Sequence, residues 1–166
     1  MTKSFQTHVL PLKNELFRLA LRITQNHAEA EDVVQETMMK VWNRREEWEK
    51  IESMEAFCLT ICRNLALDKL RRMDNQALTL DISIDPTDSS HYSNPEEQAV
   101  MNDRIQLVRK LINQLPEKQR SCMQLRDIEG KSYRDIATIL DITEQQVKVN
   151  IFRARQTIKE KISSIL

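Results

Sequence analysis

Residues 132–162, SYRDIATILDITEQQVKVNIFRARQTIKEKI, decide how this chain is read. Apolar side chains recur at helical spacing on both sides of a short break. Ile136, Ala137 and Leu140 line one face of a first helix, and Val147 and Ile151 line one face of a second. Between them Ile142 is placed to plug the turn, and the small Ala137 lets the two helices approach closely. Thr143 with Gln146 three residues on predicts a capping box at the start of the second helix. This is the pattern of a helix-turn-helix, although periodicity alone does not separate it from an ordinary αα-hairpin. The outward residues do separate them. Gln145, Lys148, Val149, Asn150, Phe152, Arg153 and Arg155 give the second helix polar, cationic and aromatic groups that can reach base edges or phosphates, opposed only by Glu144 and Glu160. A solvated charged face is the plainer alternative.

Composition extends the helical reading to the whole chain. There is one glycine, Gly130, among 166 residues, there are four prolines, and strong helix formers are abundant, so the expected class is all-α. A hydrophobic share of 40% suits a globular protein. No run approaches the roughly 18 apolar residues of a membrane span, and the N-terminus MTKSFQTHVL has no signal-peptide core, which makes a soluble, cytoplasmic protein the expectation. The net charge of zero hides a partition. Residues 1–74 carry 12 basic and 12 acidic groups, residues 75–97 none basic and five acidic, and residues 98–166 thirteen basic against eight acidic. The middle stretch, NQALTLDISIDPTDSSHYSNPEE, is also where Ser, Thr, Asp, Asn and Pro concentrate. Charge and composition therefore predict two small helical domains, 1–74 and 98–166, joined by an acidic flexible linker over 75–97.

Chemistry-bearing clusters are missing. Cys58, Cys62 and Cys122 are odd in number and fit neither a disulfide framework nor a familiar zinc spacing. Cys58 and Cys62 lie one helical turn apart and could enter a metal site, but His8, His27 and His91 show no ligand spacing, so reduced core thiols are expected. There is no glycine-rich phosphate loop, HExxH motif or nucleophile elbow. No catalytic residue, metal or cofactor is expected, and the protein is read as a non-enzyme.

Punctuation places the other helices. One from about Pro11 to Ile23 buries Leu12, Leu16, Leu19, Ala20 and Ile23. Asn26, with Glu29 at N3, then caps a helix through AEAEDVVQETMMKVW, residues 28–42. Ala30, Val33, Val34, Thr37, Met38 and Val41 form its core stripe, yet Asp32, Gln35, Glu36 and Met39 furnish a second face that water alone does not explain. The segment NRREEWEKIES reads as a charged loop or short helix. Ser53 caps a third helix through Arg72, apolar nearly all round apart from a strip through Thr60, Asn64 and Arg71 with Arg63 and Leu67 beside it. Past the linker, Asn94-Pro95 with Glu97 starts a helix to about Leu115. Pro116 starts another that ends near Gly130.

AEDVVQETMMKVW, FCLTICRNLALDKLRR and the segment from INQLPEKQR through the helix-turn-helix, in that order, together resemble a bacterial RNA polymerase sigma factor of the extracytoplasmic-function (ECF) group, in the sigma-70 family. The resemblance covers roughly residues 10–74 and 98–162. It implies that Asp32, Gln35, Glu36 and Met39 contact a clamp coiled coil of core RNA polymerase, where carboxylates meet basic groups and a methionine fills an apolar gap. It implies that the third helix captures a flipped base of the melted −10 element. Asn64 would then supply an amide beside Thr60, with Arg63, Lys69, Arg71 and Arg72 as cations and the loop carrying Arg44, Arg45 and Trp48 as a pocket wall, although Trp48 could simply lid the core. Lys148, Val149, Asn150, Phe152 and Arg153 would read the −35 element in duplex, with Gln145, Gln146 and Arg155 beside them toward the phosphates. The acidic linker resembles the family segment that passes near the RNA exit path, and a plain tether is its alternative.

Departures from the family pattern are local. Phe57 stands where tryptophan is usual, Cys58 and Cys62 where leucine and alanine are common, and Asn150 where a basic residue is frequent. Asp141 occupies a turn position usually held by glycine, and Asp accepts positive φ better than most residues. The implied partners are core RNA polymerase, promoter DNA and an anti-sigma factor, with no membrane insertion. The alternative function is a polymerase-independent helix-turn-helix transcriptional regulator.

Overall fold

Asn26, Ser53, Ser132 and Thr143 each turn a side-chain oxygen onto a backbone N–H three residues ahead and so open a helix. The acceptor distances are 3.0 Å to Glu29 N, 3.1 Å to Ala56 N, 3.1 Å to Asp135 N and 3.0 Å to Gln146 N. At Thr143 the box closes in both directions, because its own N–H donates to Gln146 Oε1 at 2.9 Å. At Asn26 it does not. Glu29 turns away instead, and its carboxylate lies 3.3 Å from Lys69 Nζ.

The computed structural model describes residues 2–80 and 95–165, with side chains over 2–76 and 103–165. Its helices are α1 (Phe5–His8), α2 (Lys13–Thr24), α3 (His27–Asn43), α4 (Met54–Leu80), α5 (Pro95–Asn113), α6 (Glu117–Met123), α7 (Tyr133–Leu140) and α8 (Glu144–Ile165). Short 3₁₀ turns at Leu10–Leu12 and Arg45–Lys50 and a π turn at Gln124–Ile128 complete it, with no strand among the described residues. The all-α expectation holds.

Helices α2, α3 and α4 pack as a triangle around Leu16, Leu19, Ile23, Val33, Val41, Leu59 and Cys62. The stripe read from α3 is the buried one, with Met38 at its half-buried margin. In the C-terminal part α6, α7 and α8 close the helix-turn-helix around Leu125, Ile136, Leu140, Val147 and Ile151. Asp141 takes the left-handed conformation at φ 55°, as its position in the turn requires, and ends α7. A smaller cluster of Leu111, Ile112, Leu115, Met123, Ala154 and Ile158 ties α5 to α6 and α8.

The N-terminal and C-terminal parts share one core. Cys122, Leu125, Ile136, Ile139 and Leu140 belong to the same cluster as Cys58, Cys62 and Leu65, and α7 packs on α4. Polar contacts frame that seam. Arg120, on α6, donates to the carbonyls of Arg22 and Ile23 at 2.9 Å each and of Leu115 at 2.8 Å, so it caps the C-terminal end of α2. Arg22 donates to Gln124 Oε1 at 2.8 Å and Asn113 Oδ1 at 3.0 Å. Arg18 grips Glu129 through two bonds of 2.7 and 2.6 Å, and Lys131 reaches Glu15 at 2.7 Å and also Glu55. Burial works against the charge on Lys131, but the two carboxylates outweigh it and its pKa is raised.

Three features differ from the sequence reading. Helix α4 continues past Arg72 to Leu80, since Gln76, Ala77 and Leu78 favour helix and no proline or glycine stops it. Six residues expected in the linker are therefore helical, while residues 81–94, with the Asn94 cap, lie outside the described ones. The helix after Pro116 widens into the π turn before Gly130, which does adopt φ 72° as its C′ residue. Within that turn Gln124 is buried and bridges Arg22 and Glu129, so a side chain committed to another helix coincides with the change of pitch. Finally, Pro11 lies in the 3₁₀ turn, α2 starts only at Lys13 and Leu12 is half-buried rather than buried, while the far end of α2 is closed by a left-handed Gln25 whose side-chain amide donates to Asn113 O at 2.7 Å. No described helix is long and apolar enough to cross a membrane.

Two outcomes follow from this packing. Arg120→Met removes three charge-assisted bonds and strands the carbonyls at the end of α2, and should cost about 2–4 kcal/mol in a urea titration; an unchanged midpoint would contradict the capping role. Cys58, Cys62 and Cys122 are all buried, and burial pushes each thiol up to about 12. At pH 8 the native chain should barely react with an aromatic disulfide reagent and should release three equivalents once denatured. A thiol reacting in the native chain as fast as free cysteine would contradict the shared core.

Candidate polymerase and nucleic-acid interfaces

Helix α3 has a face that the fold does not use. Val33, Val34, Thr37 and Val41 are spent on the core, which turns Asp32, Gln35 and Met39 to solvent, with Glu36 half-buried beside them and Met39 66% exposed. Thr37 hides its hydroxyl by donating to Val33 O at 2.7 Å. The four residues singled out by sequence thus share one accessible stripe. One turn further on, Trp42 is 47% exposed, with the Arg45 guanidinium 4.6 Å from its ring centroid and Phe5 edge-on at 5.9 Å. Sequence reasoning missed Trp42, although it lies three residues beyond Met39 and spacing alone would have found it.

On α4 the packing sorts the expected nucleic-acid residues. Asn64, Arg71 and Arg72 are exposed. Thr60 is half-buried and gives its hydroxyl hydrogen to Ala56 O at 2.7 Å. Lys69 lies 3.3 Å from Glu29 and 4.0 Å from Asp32, so one cation joins α4 to the acidic stripe of α3. Arg71 has Asp68 3.9 Å away, one turn back. Arg63 departs from the expected open strip. It is only 8% exposed, because α6 brings Glu117 within 3.3 Å of its guanidinium.

The loop before α4 departs as well. Trp48 is 4% exposed and donates its indole N–H to Val41 O at 3.0 Å, so it lids the core rather than walling a pocket. Lys3 seals the same corner by donating to Trp48 O at 2.9 Å and to Ile51 O. Arg44 and Arg45 remain exposed. Arg44 sits 4.8 Å over the Phe57 ring and pairs with Glu47 at 2.6 Å, and Arg45 stacks on Trp42.

Helix α8 presents most of its second face. Val147, Ile151 and Ala154 are buried, which leaves Gln145, Gln146, Lys148, Val149, Phe152 and Arg153 outward, Phe152 being 68% exposed. Asn150 is half-buried and donates to Gln146 O at 2.8 Å. Arg155 pairs with Asp127 on the π turn through two bonds, one of 3.1 Å to Oδ2, and so also braces α8. A recess of about 350 Å³ opens beside Gln145, Val149, Asn150 and Arg153, and Lys118 of α6 lines its far wall. No periodicity pointed to Lys118. Its place beside α8 is set by tertiary packing.

No group of three or more acidic, His or Cys side chains among the described residues is arranged to hold a metal ion. What the arrangement offers is three surfaces: an acidic and thioether stripe on α3, an amide flanked by cations on α4, and a mixed cationic and aromatic face on α8.

Comparison with known proteins places the chain in a family. A family model described as Sigma-70 region 2 matches residues 9–76, and one described as Sigma-70, region 4 matches residues 105–158. The ECF RNA polymerase sigma factor SigL of Mycobacterium tuberculosis is 33% identical over 147 residues, covering 87% of this chain and 80% of SigL. The RNA polymerase sigma-H factor of Pseudomonas aeruginosa is 27% identical over 173 residues, covering 99% and 89%. Among solved structures, the sigma factor RpoE of Bartonella quintana, in complex with the anti-sigma factor NepR, matches with a TM-score of 0.79 at 27% identity over 96% of both chains. The two family models fall on the two helical parts that carry the α3, α4 and α8 faces, and together with these relatives they show that the chain belongs to the extracytoplasmic-function group of the sigma-70 family of RNA polymerase sigma factors.

Proposed function

We propose that this sigma factor docks on core RNA polymerase through the α3 stripe, reads the −35 element as duplex with α8, and holds the melted −10 strand on α4. The observation that carries the reading is the α3 stripe: Asp32, Gln35, Glu36 and Met39 are set on a helix whose other face is fully committed to the core. A large exposed thioether among carboxylates suits a protein partner with basic groups around an apolar gap. The protein contributes recognition and polymerase carries out the chemistry, so no catalytic residue is assigned. Residues 1–74 and 98–166 serve as the two recognition units, with 75–97 between them.

Asn64 is the group on α4 best placed to select a base. It is exposed beside a buried apolar face, and an amide can satisfy a donor and an acceptor on one base edge. Arg71 and Arg72 continue the same helix as cations for the backbone. On α8, Phe152 and Val149 offer apolar contact to a thymine methyl, while Lys148 and Arg153 supply donors. Lys118 joins them across the recess as a phosphate contact. The partners are core polymerase and promoter DNA, and the chain is held in check by an anti-sigma factor, as the relative crystallised with NepR is bound to one.

Changing Asp32, Gln35 and Glu36 together to alanine should weaken core polymerase binding about tenfold or more while leaving the circular dichroism spectrum and melting temperature essentially intact. An unchanged affinity would remove α3 from the interface. Asn64→Ala should flatten the preference at one position of the −10 element when promoter variants are compared in open-complex formation. A preference profile identical to that of the wild type would refute base selection by Asn64.

A further inference from the structure

The seam between the two parts treats its arginines unequally. Arg120 places its donors on three carbonyls, and Arg18 faces Glu129 with two short parallel bonds. Arg63 is buried to nearly the same degree as Arg120 but has a single long contact, Nη2 to Glu117 Oε1 at 3.3 Å. Its Nε is buried with no hydrogen-bond partner. Glu117 in turn is held from its own helix, where Ser121 Oγ lies 3.4 Å from Oε2. A buried guanidinium with an unsatisfied donor is an incompletely matched group, and a partner offering two oxygens would match it better.

Arg63 immediately precedes Asn64, and the rest of the seam does not cover Asn64, Arg71 or Arg72. The recognition face of α8 is likewise open. Packing of the C-terminal part onto α4 therefore withholds one specific cation from the candidate −10 surface and leaves the candidate −35 surface free. We infer that Glu117 is an intramolecular competitor: in the closed chain its carboxylate occupies the place on Arg63 that a phosphate of the melted −10 strand takes once the two parts separate. The inference rests on the assignment of α4 to the melted strand. It makes closure selective, gating single-strand capture without gating duplex reading.

The test is binding of a short fluorescent single strand of random sequence by the full chain, titrated against salt. Glu117→Gln should tighten binding about three- to tenfold and steepen the dependence of log K on log[salt] by about 0.7, the value for one added phosphate contact on a single strand. Glu117→Asp should fall between the two and serves also if the Gln variant folds poorly. The gain should vanish in the Arg63→Ala background, and neither Asp103→Asn, a charge-matched change on α5, nor binding of a random duplex should show it. Equal gains from Asp103→Asn and Glu117→Gln, or a gain that survives Arg63→Ala, would overturn the competition. A second arm separates the two ideas. In the complex with core polymerase, Arg63→Ala should weaken capture of the strand in a pre-melted template. If it does, while Glu117→Gln changes nothing in the free chain, the α4 assignment stands and the competitor falls. If it does not, the α4 assignment fails for Arg63 and the competitor falls with it.

Discussion

Arg120 donates to two main-chain carbonyls across the seam between the N-terminal and C-terminal helices, those of Arg22 and Ile23, and to a third, that of Leu115, just before its own helix, and the arrangement of the whole chain depends on that grip. A guanidinium stays charged in proteins and carries its donors in a fixed fork, so burying one demands acceptors of matching geometry. The free carbonyls at the end of α2 supply two of them, at the negative end of a helix dipole, and Leu115 supplies the third. Burial still pushes the Arg120 pKa down, and Glu117 and Asp74 oppose that shift. Arg22, beside it, is pushed down to about 10 by burial and by repulsion from Arg109 and Arg120, and its hydrogen-bond acceptors there are the neutral amides of Gln124 and Asn113. Arg22 and Arg120 are tolerated this close together because both have oriented oxygens to face.

With α6 fixed on α2, the surfaces of α4 are divided. Its apolar sides are taken by α2, α3 and α7, and what remains outward includes Asn64, Asp68, Arg71, Arg72 and Asp74. Lys69 ties that strip to the acidic stripe of α3, so the candidate polymerase contact and the candidate single-strand contact are braced against each other. Both faces are therefore carried by one triangle of packed helices, α2, α3 and α4. Helix α8 is anchored by Val147 and Ile151 in the shared core, by Ala154 in the smaller cluster and by the Arg155–Asp127 pair.

Local rules made most of this legible in the sequence. The caps at Asn26, Ser53 and Thr143, the left-handed Asp141 and the buried stripe of α3 follow from residue type and spacing within a few positions, and the structure has each of them. Local sequence leaves Trp48 open between pocket wall and core lid and makes Arg63 look exposed, for one shared reason. Both are buried by partners from elsewhere in the chain: Trp48 by the N-terminal segment and α3, Arg63 by Glu117 fifty-four positions away. Lys118 was missed because its relation to α8 is tertiary. The extension of α4 to Leu80 is the opposite case: charge and composition change after residue 74, yet helix propensity carries the helix further.

The central claim is that three surfaces of one chain, on α3, α4 and α8, give core RNA polymerase its choice of promoter. The most direct measurement is transcription in vitro with purified core polymerase and this protein on a pooled library of promoter fragments. The account predicts transcripts that depend on the protein and start from a subset of fragments sharing two sequence elements at fixed spacing. Transcripts that are absent, or that start from fragments with no shared elements, would contradict it.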